Sequence, residues 1–354
     1  MNSISLDLGS QRSILRIRFA KGPTEETGTE TSALTHHWHP IATGEQIGEQ
    51  PRRFTLLGED LVAFRTERGV KVFLDLCIHR GVALSLGFIE GGILRCGYHG
   101  WAYDETGVCV DIPSLPKGSP IPSKARAIVY PVVERYGLVW VALGEPASEI
   151  PAFPDDEWDD PRYRAIVSQQ YTWRTSAGRA VENFMDISHF PYVHEGVLGS
   201  RDNTEVQKHE VSTRNGGLHY FLEAPEPADL HSKPGDVVRW EYFLTGPFTI
   251  HLRKTVPSGD VTLISMAASP TTETTTEMFL WIARNHQLDP SADAEFIDFT
   301  HGIMEQDRLV VESQRPEKIP TDLRDELHLK VPDASGIAYR KYLAAIQGAA
   351  AYMP

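Results

Sequence analysis

The sequence contains few cysteines and no long apolar run. Its 354 residues include only three cysteines, so no disulfide framework is predicted and a reducing compartment is favoured. No apolar run approaches the roughly 18 residues of a membrane span. The N-terminus also lacks the apolar core of a signal peptide. We therefore expect a cytoplasmic protein.

Runs of basic residues are missing as well. The net charge is −14 with His neutral, and no Lys/Arg-rich run occurs, which makes nucleic acids and anionic membranes poor partners. No G-x-G-x-x-G phrase follows a predicted strand, so we expect no nucleotide site in this chain. The length suits two domains and is too great for a lone electron carrier. A small-molecule substrate is the expected partner class.

Two cysteines and two histidines form matched pairs. Cys77 and His79 are separated by one residue, and sixteen residues later Cys96 and His99 are separated by two. In a cluster of two irons, one iron can take both thiolates and the other both imidazoles. A structural zinc site is the alternative, but zinc fingers usually pair Cys with Cys and His with His. The mixed pairs predict a Rieske 2Fe-2S cluster.

The hydrophobic pattern divides the chain into two parts. Short apolar segments between Gly, Pro and charged turns predict an all-β region up to residue 150. A stretch rich in Pro and acidic residues, 145–161, marks a boundary. Beyond it a strand, a helix, six further strands, the first over residues 206–213, and a long helix are predicted. The expected α+β fold has an N-terminal arm over 1–33, a Rieske domain over 34–150 and a helix-grip domain, an antiparallel sheet around a long helix, over 151–354.

A second metal site is predicted near the start of the second domain. His189 and His194 are five residues apart, which places them about 140° apart on a continuous helix. Pro191 lies between them and predicts a helix break that lets the two imidazoles converge. Two histidines beside one carboxylate form the facial triad of non-haem Fe(II) oxygenases. One carboxylate ligand is still needed.

The long helix predicted over 289–314 supplies this carboxylate. Its apolar face runs from Phe296 to Val310, and Asp307 lies about 20° from Phe296 on that face. A carboxylate on a buried face costs several kcal/mol unless it is paired or bound to a metal. Asp307 is therefore the expected third iron ligand. A buried ion pair with Arg308 is the alternative.

Phrases around both predicted sites resemble one family. CxHRG begins the first ligand pair, YHGW contains the last cluster ligand, and N-x-x-D-x-x-H-x4-H runs from Asn183 to His194. These phrases resemble the large subunits of the Rieske non-haem iron oxygenases. The resemblance covers nearly the whole chain, from about residue 38 to residue 343. One departure is Gln306, where many members have Glu before the third ligand.

The resemblance implies one 2Fe-2S cluster and one mononuclear Fe(II) per chain. It also implies that Asp186 bridges the two kinds of metal site. Its carboxylate would accept hydrogen bonds from His189 and, across a subunit boundary, from the neighbouring subunit's histidine that corresponds to His99. Asn183 is a further catalytic candidate in the same phrase. A homotrimer follows from this bridge, although the sequence itself leaves a monomer open.

Within the family, the chain is most similar to the monooxygenase branch. VENFMDISHF resembles the caffeine-type N-demethylases and SHFPYVHEGVLG the saxitoxin-pathway hydroxylases; dicamba O-demethylase belongs to the same branch. A terminal oxygenase is implied, with electrons from NAD(P)H delivered by a separate ferredoxin or flavoprotein reductase. We expect hydroxylation of an sp3 carbon beside nitrogen, which gives N-dealkylation.

Several alternatives stay open at this point. For the reaction they are O-demethylation of a methoxyaromatic and stable C-hydroxylation. For the protein class they are a Rieske electron carrier with a ligand-binding domain and a zinc-stabilised binding module. The substrate pocket is expected between the sheet and the helices. Its candidate wall residues are Phe184, Tyr192, Val197, Leu198, Phe248, Ile250, Leu252 and Phe299.

Overall fold

The computed structural model describes residues 33–225, 227 and 232–350. The arm predicted over residues 1–33 therefore lies outside the described residues except for its last position. Among the described residues, no helix is long and apolar enough to cross a membrane.

The N-terminal half consists of short antiparallel strands in three sheets. The first sheet has the order β1-β11-β10, the second β2-β3-β4-β9 and the third β5-β6-β7-β8. Their bounds are β1 His39–Thr43, β2 Arg52–Leu56, β3 Glu59–Thr66, β4 Gly69–Leu74, β5 Phe88–Glu90, β6 Ile93–Arg95, β7 Ala102–Tyr103, β8 Cys109–Asp111, β9 Val129–Tyr130, β10 Val132–Arg135 and β11 Leu138–Val141. The all-β prediction for this region is confirmed.

The C-terminal half is built on one seven-stranded antiparallel sheet. Its order is β12-β18-β17-β16-β15-β14-β13. The strand bounds are β12 Arg164–Trp173, β13 Ser212–Arg214, β14 Gly217–Pro225, β15 Val237–Gly246, β16 Thr249–Thr255, β17 Val261–Thr272 and β18 Thr275–Arg284. The helix bounds are α1 Ala177–Met185, α2 Phe190–Val193, α3 Asp293–Val311 and α4 Ala334–Ala350. The α+β architecture, with one antiparallel sheet and helices in the C-terminal half, agrees with the prediction.

Both faces of the large sheet are covered, so the strands β16, β17 and β18 are buried along most of their length. One face packs against the helices. The other packs against the N-terminal half, where Trp281 of β18 stacks on Trp140 of β11 with ring centroids 6.1 Å apart. The Nε1–H of Trp281 also donates to the carbonyl of Tyr136 at 2.7 Å. The domain boundary predicted at residue 150 falls between β11 and β12 and stays a prediction.

One predicted strand is largely missing from the sheet. Residues 206–213 were expected to form a strand, but β13 covers only Ser212–Arg214. Residues 206–211 belong to no strand, and Lys208 and Glu210 among them are exposed. Strand β13 is an end strand of the sheet in the part of the chain that the structure describes, and alternating hydrophobicity alone did not extend it.

Candidate active site

Two loops with the same backbone pattern carry the four predicted cluster ligands. In each loop the cysteine N–H donates to the carbonyl five residues later, and the N–H of a glycine four residues later donates back to the cysteine carbonyl. The two glycines, Gly81 and Gly100, both have φ of +71°, which strains any residue with a Cβ. Cys77 and Cys96 therefore lie at equivalent positions of two matched turns.

The ligand side chains of these loops are close together and partly unsatisfied. The imidazole rings of His79 and His99 lie 4.6 Å apart between centroids. His79 Nδ1 is buried and has no hydrogen-bond partner among the described residues, a state that costs about 1–3 kcal/mol. Burial raises the pKa of the Cys77 thiol, while the Tyr103 hydroxyl, 3.1 Å from Sγ, favours its thiolate. The residues fit a metal cluster that accepts both kinds of donor.

The spacing of the donor atoms argues against a single zinc ion. Four donors around one tetrahedral zinc, at about 2.0–2.3 Å from the metal, lie within about 4 Å of one another. Within the described ranges, only one group of three or more candidate ligand atoms lies within 4.8 Å of one another, and it is not in these loops. The wider spacing suits a cluster with two irons.

A second candidate metal site consists of His189, His194 and Asp307, whose candidate ligand atoms lie within 4.8 Å of one another. The Nε2 atoms of the two histidines lie 3.4 Å and 3.1 Å from Asp307 Oδ1. His194 Nε2 is fully buried and, despite this short distance, makes no hydrogen bond with any described residue. Three donors that face a common point without bonding one another fit an Fe(II) facial triad.

The helix break that the prediction placed between the two histidines lies before both of them. Helix α1 ends at Met185, and Asp186 has an extended backbone (φ −92°, ψ 137°). The Asp186 carboxylate accepts hydrogen bonds from the backbone N–H groups of Ser188 (3.0 Å) and His189 (3.2 Å). The break predicted at Pro191 is wrong. The side chain of Asp186 ends the helix, and Pro191 lies in the first turn of α2.

Both imidazoles present Nε2 to the centre because Nδ1–H has an acceptor on the other side. His189 Nδ1 donates to Asp186 Oδ2 at 3.0 Å, and His194 Nδ1 donates to Gln306 Oε1 at 2.8 Å. Burial disfavours the charge of Asp186, but hydrogen bonds from His189 and Ser188 outweigh it and lower the pKa of that carboxyl. Such acceptors fix the tautomer and the orientation of a metal-binding ring.

Helix α3 brings Asp307 to the site on its buried stripe. Residues spaced by three or four share one helix face. The prediction placed Val310 on that face, but Val310 is 48% exposed and Val311 is 3% exposed, so the buried face is centred slightly later. The buried residues of the helix are Phe296, Thr300, Met304, Asp307 and Val311.

The partners of Asp307 exclude the ion-pair alternative. Arg308 pairs with Glu305 at 2.6 Å and turns away from the triad. Asn183 Nδ2 instead donates to Asp307 Oδ1 at 3.2 Å. Asn183 thus orients the carboxylate from α1, which gives a physical basis for its selection as a candidate.

A cavity between the sheet and α3 opens onto the triad. Four of the eight predicted pocket residues line it, namely Phe184, Leu198, Leu252 and Phe299. Most of the other walls are also aliphatic or aromatic. A small organic molecule that enters the cavity would lie beside His189 and His194, shielded from water.

The other four predicted pocket residues lie outside this cavity. Tyr192 is 62% exposed because the short helix α2 turns it toward solvent. Ile250 is fully buried in the core, and Val197 packs against the same core. Phe248 lines a second cavity of about 340 Å³. The strand that contains Ile250 meets the active-site cavity only further along, at Leu252.

Sequence reasoning missed ten of the eighteen residues that line the cavity. The missed residues are Phe190, Trp240, Lys254, Thr262, Ile264, Ile282, Phe296, Thr300, Ile303 and Met304. Period-two alternation places Lys254 on the same face as Leu252, so its side could have been predicted. The contribution of β15, β17 and β18 depends on the strand order, which a single sequence does not reveal.

The chain resembles known proteins along most of its length. A family model described as Rieske [2Fe-2S] domain matches residues 37–134, and one described as vanillate O-demethylase oxygenase C-terminal domain matches residues 173–348. Methylxanthine N1-demethylase NdmA of Pseudomonas putida is 33% identical over 329 residues, which cover 90% of this chain and 91% of that protein. The solved structure of NdmA with caffeine has a TM-score of 0.82 at 33% identity and covers 90% of this chain and 93% of that chain.

Two further relatives match smaller shares of the chain. The oxygenase component of dicamba O-demethylase from Stenotrophomonas maltophilia is 28% identical over 300 residues, 78% of this chain and 86% of that protein. Oxidoreductase NdmD of Pseudomonas putida is 39% identical over 127 residues, 34% of this chain and 21% of that protein.

Proposed function

The chain belongs to the Rieske non-haem iron oxygenases, and from this premise we propose that it removes an N-methyl group from a small aromatic or heterocyclic substrate. It is the terminal oxygenase of a Rieske monooxygenase system, with a 2Fe-2S cluster and a mononuclear iron. The N-alkyl preference is supported by NdmA, whose similarity covers more of this chain, at higher identity, than that of dicamba O-demethylase.

We propose the metal ligands residue by residue. Cys77 and Cys96 bind one iron of the cluster, and His79 and His99 bind the other. The mononuclear Fe(II) is held by the triad of His189, His194 and Asp307. The unsatisfied, buried Nε2 of His194 supports this assignment most directly. When bound, the cluster supplies single electrons and the mononuclear iron supplies the site at which dioxygen is activated.

The surrounding residues orient the ligands and exclude water. Asp186 and Gln306 hold the two imidazoles through Nδ1, so both Nε2 atoms stay directed at one point. Asn183 holds the carboxylate of Asp307. The apolar cavity wall keeps the reacting carbon in a dry environment, which limits loss of oxidising equivalents to water.

The proposed reaction balances with one dioxygen and two electrons. One oxygen atom is inserted into a C–H bond of the N-methyl group, and the other leaves as water after taking up two protons. The resulting N-hydroxymethyl compound loses formaldehyde by breaking its C–N bond, which leaves the N–H amine. The two electrons come from NAD(P)H through a separate reductase.

O-demethylation is the second candidate reaction. The family model that matches residues 173–348 takes its description from an O-demethylase, and the dicamba relative is one too. The same insertion into a methyl C–H bond would then yield formaldehyde and a phenol. Stable C-hydroxylation is the third outcome, and it releases no formaldehyde.

We also propose an electron-transfer partner and a homotrimer. The partial similarity to oxidoreductase NdmD supports a reductase or ferredoxin partner of related type. For the trimer, Leu86 and Tyr98 beside the cluster loops are 75% and 60% exposed. Leu327 is 89% exposed and lines the outer cleft that contains Asp186. A second copy of the chain could cover both apolar surfaces and bring its cluster to Asp186.

Mixing two inactive variants tests the trimer. Cys96→Ser lacks a cluster ligand, and His194→Ala lacks an iron ligand. In a head-to-tail ring, subunits unfolded and refolded together regain activity because intact sites combine across interfaces. Each variant alone stays inactive. Mixtures that never regain activity, or a monomer in sedimentation equilibrium, would contradict the trimer.

We further propose a division near residue 150 and a cytoplasmic location. The division separates the three small sheets from the seven-stranded sheet. All three cysteines are free, which suits a reducing compartment where NAD(P)H-dependent reductases operate.

A substrate screen tests the reaction. Purified oxygenase is combined with a surrogate reductase, NADH and a set of N-methyl and O-methyl aromatics, and released formaldehyde is measured. We expect formaldehyde from N-methyl compounds, and none from the His194→Ala variant, whose cluster retains its visible absorption. Formaldehyde from O-methyl compounds alone would favour the second candidate, and hydroxylated products without formaldehyde the third.

A further inference from the structure

The indole N–H group of Trp240 on β15 is a hydrogen-bond donor of the cavity wall that the protein itself does not use. Trp240 is 3% exposed and lines the same cavity as the triad. Its Nε1–H makes no hydrogen bond with a described residue, yet it is not enclosed like the Nε1–H groups of Trp101 and Trp173, which are fully buried without a partner. Since the rest of the Trp240 side chain is buried, the open side of this N–H group is the cavity.

Other buried tryptophans show how the protein satisfies an indole that only packs. Trp140 donates to the carbonyl of Arg135 at 3.0 Å, and Trp281 donates to the carbonyl of Tyr136 at 2.7 Å. Trp240 differs because its donor faces the cavity instead of a backbone carbonyl. An indole N–H can donate but cannot accept, so a ligand that satisfies it must carry an acceptor.

The hydroxyl and amide side chains of the described wall already have partners. The Thr300 hydroxyl donates to the carbonyl of Phe296 at 2.9 Å, one turn earlier on α3. The Thr262 hydroxyl shares a hydrogen bond of 2.9 Å with Nε2 of His286. Asn183 donates to the carboxylate of the triad at 3.2 Å. These groups serve the fold and the iron site, which leaves the indole as the donor available to a substrate.

Lys254 is the one lysine or arginine of the described wall, and it is engaged as well. Its Nζ lies 5.3 Å from the ring centroid of Trp240, and the residue makes a further interaction within the protein. A substrate anion would have to displace that interaction or be buried unpaired, and both are costly. A neutral acceptor has neither cost, so the wall suits a neutral substrate.

The indole also lies near the iron site. The ring of Phe190 is 5.4 Å from that of Trp240 and 5.8 Å from that of His194, measured between centroids. All three residues line the cavity, so Trp240 is one ring away from an iron ligand. A substrate with one or two rings spans this distance while its methyl group lies at the triad.

We propose that Trp240 determines substrate specificity by donating a hydrogen bond from Nε1 to a neutral acceptor on the substrate, such as the carbonyl oxygen of a ketone or an amide. The proposal rests on the proposed function and narrows it to N-methyl aromatics and heterocycles that carry such an acceptor. An analogue without the acceptor leaves the buried donor unpaired and is rejected for that reason. The expected preference is about fivefold or more in affinity.

Binding of matched ketones and alkenes tests this role. The probes are 4-(dimethylamino)acetophenone and 4-isopropenyl-N,N-dimethylaniline, which differ in C=O against C=CH2, together with the corresponding 3-substituted pair. Their affinities are measured by equilibrium dialysis against the holoenzyme without oxygen. We expect the wild type to bind the ketone of at least one pair about fivefold or more tightly than its alkene. Trp240→Phe keeps an aromatic ring but removes the N–H group, and should lower this ketone-to-alkene ratio to about one.

Trp173→Phe is the matched control. Trp173 is 1% exposed, its Nε1–H is buried without a partner, and it does not line the cavity. The control should keep the wild-type ratio. A second replacement, 3-benzothienylalanine at position 240, exchanges the N–H group for sulfur and retains the two-ring shape. It should abolish the preference as Trp240→Phe does, and it decides the question if Trp240→Phe does not fold.

Three results would overturn the role of Trp240. They are a wild type that binds no ketone better than its alkene, including one that binds neither; a position-240 replacement that keeps the preference; and equal weakening of ketone and alkene, which is what a purely structural role gives. Because binding needs no turnover, this proposal can fail while formaldehyde release still supports the proposed function, and the reverse.

Discussion

The contact between His194 and Gln306 makes a quantitative prediction for the iron site. The ring of His194 is fully buried, and its Nδ1–H donates to Gln306 Oε1 at 2.8 Å. Gln306→Leu removes the acceptor while keeping a side chain of similar size. The variant therefore has a buried N–H group without a partner and an imidazole that can rotate away from the centre.

The expected loss is large enough to measure. A buried donor without a partner costs about 1–3 kcal/mol. Loss of the group that orients a metal-binding histidine typically weakens metal affinity about 10- to 100-fold, or about 1.4–2.7 kcal/mol. We therefore expect Gln306→Leu to bind Fe(II) at least about tenfold more weakly. Gln306→Glu supplies a carboxylate acceptor and should bind at least as tightly as the wild type.

Anaerobic competition with a colorimetric Fe(II) chelator measures these affinities without turnover. Glu305→Leu is the matched control, because Glu305 is the preceding residue on α3 and its carboxylate pairs with Arg308 at 2.6 Å, outside the triad. The control should retain wild-type affinity. Wild-type affinity in Gln306→Leu, or an equal loss in Gln306→Glu and Gln306→Leu, would refute the reasoning.

Three further predictions concern the bridge, acid stability and the buried ion network. Asp186→Asn should leave the cluster's absorption and its reduction intact but lower product formation at least about tenfold, and normal turnover would contradict the bridge. Burial lowers the pKa of His39 to about 4, so the unfolded chain, with His near 6.5, binds an extra proton between these values. Protonation of His39 in the unfolded chain should therefore lower the free energy of unfolding by about 2 kcal/mol when the pH falls from above 6.5 to 5. In urea unfolding over this pH range, the wild type should lose about 2 kcal/mol more than His39→Gln. Arg340, 2% exposed, pairs with Glu182 at 2.6 Å, and Arg340→Met should lower the free energy of unfolding by about 3 kcal/mol in the same assay.

Local patterns were enough to select the candidate cluster ligands because each pair lies within one short turn. The spacing of Cys77 and His79 is enough to recognise them as a candidate ligand pair, and the same holds for Cys96 and His99. The triad was harder to predict, since Asp307 comes from a helix more than a hundred residues later in the chain. It could still be selected because an acidic residue on a buried helix face needs a partner.

The errors have physical causes that a pattern of residue types does not contain. The helix before His189 ends at Met185 because the Asp186 side chain accepts hydrogen bonds from the next backbone N–H groups. A prediction based on proline alone does not include this competition. Pocket residues were chosen by type, but Phe248 and Ile250 lie away from the cavity. Lys254 was missed because a charged residue was not expected on an apolar wall.

The iron content of anaerobically purified and reconstituted protein tests the central claim most directly. Two separate centres in one chain predict about three irons and two inorganic sulfides per chain. The same preparation of His194→Ala should keep its sulfide and cluster absorption and lose about one iron. Only two irons per chain in the wild type after reconstitution with ferrous salt would contradict the account.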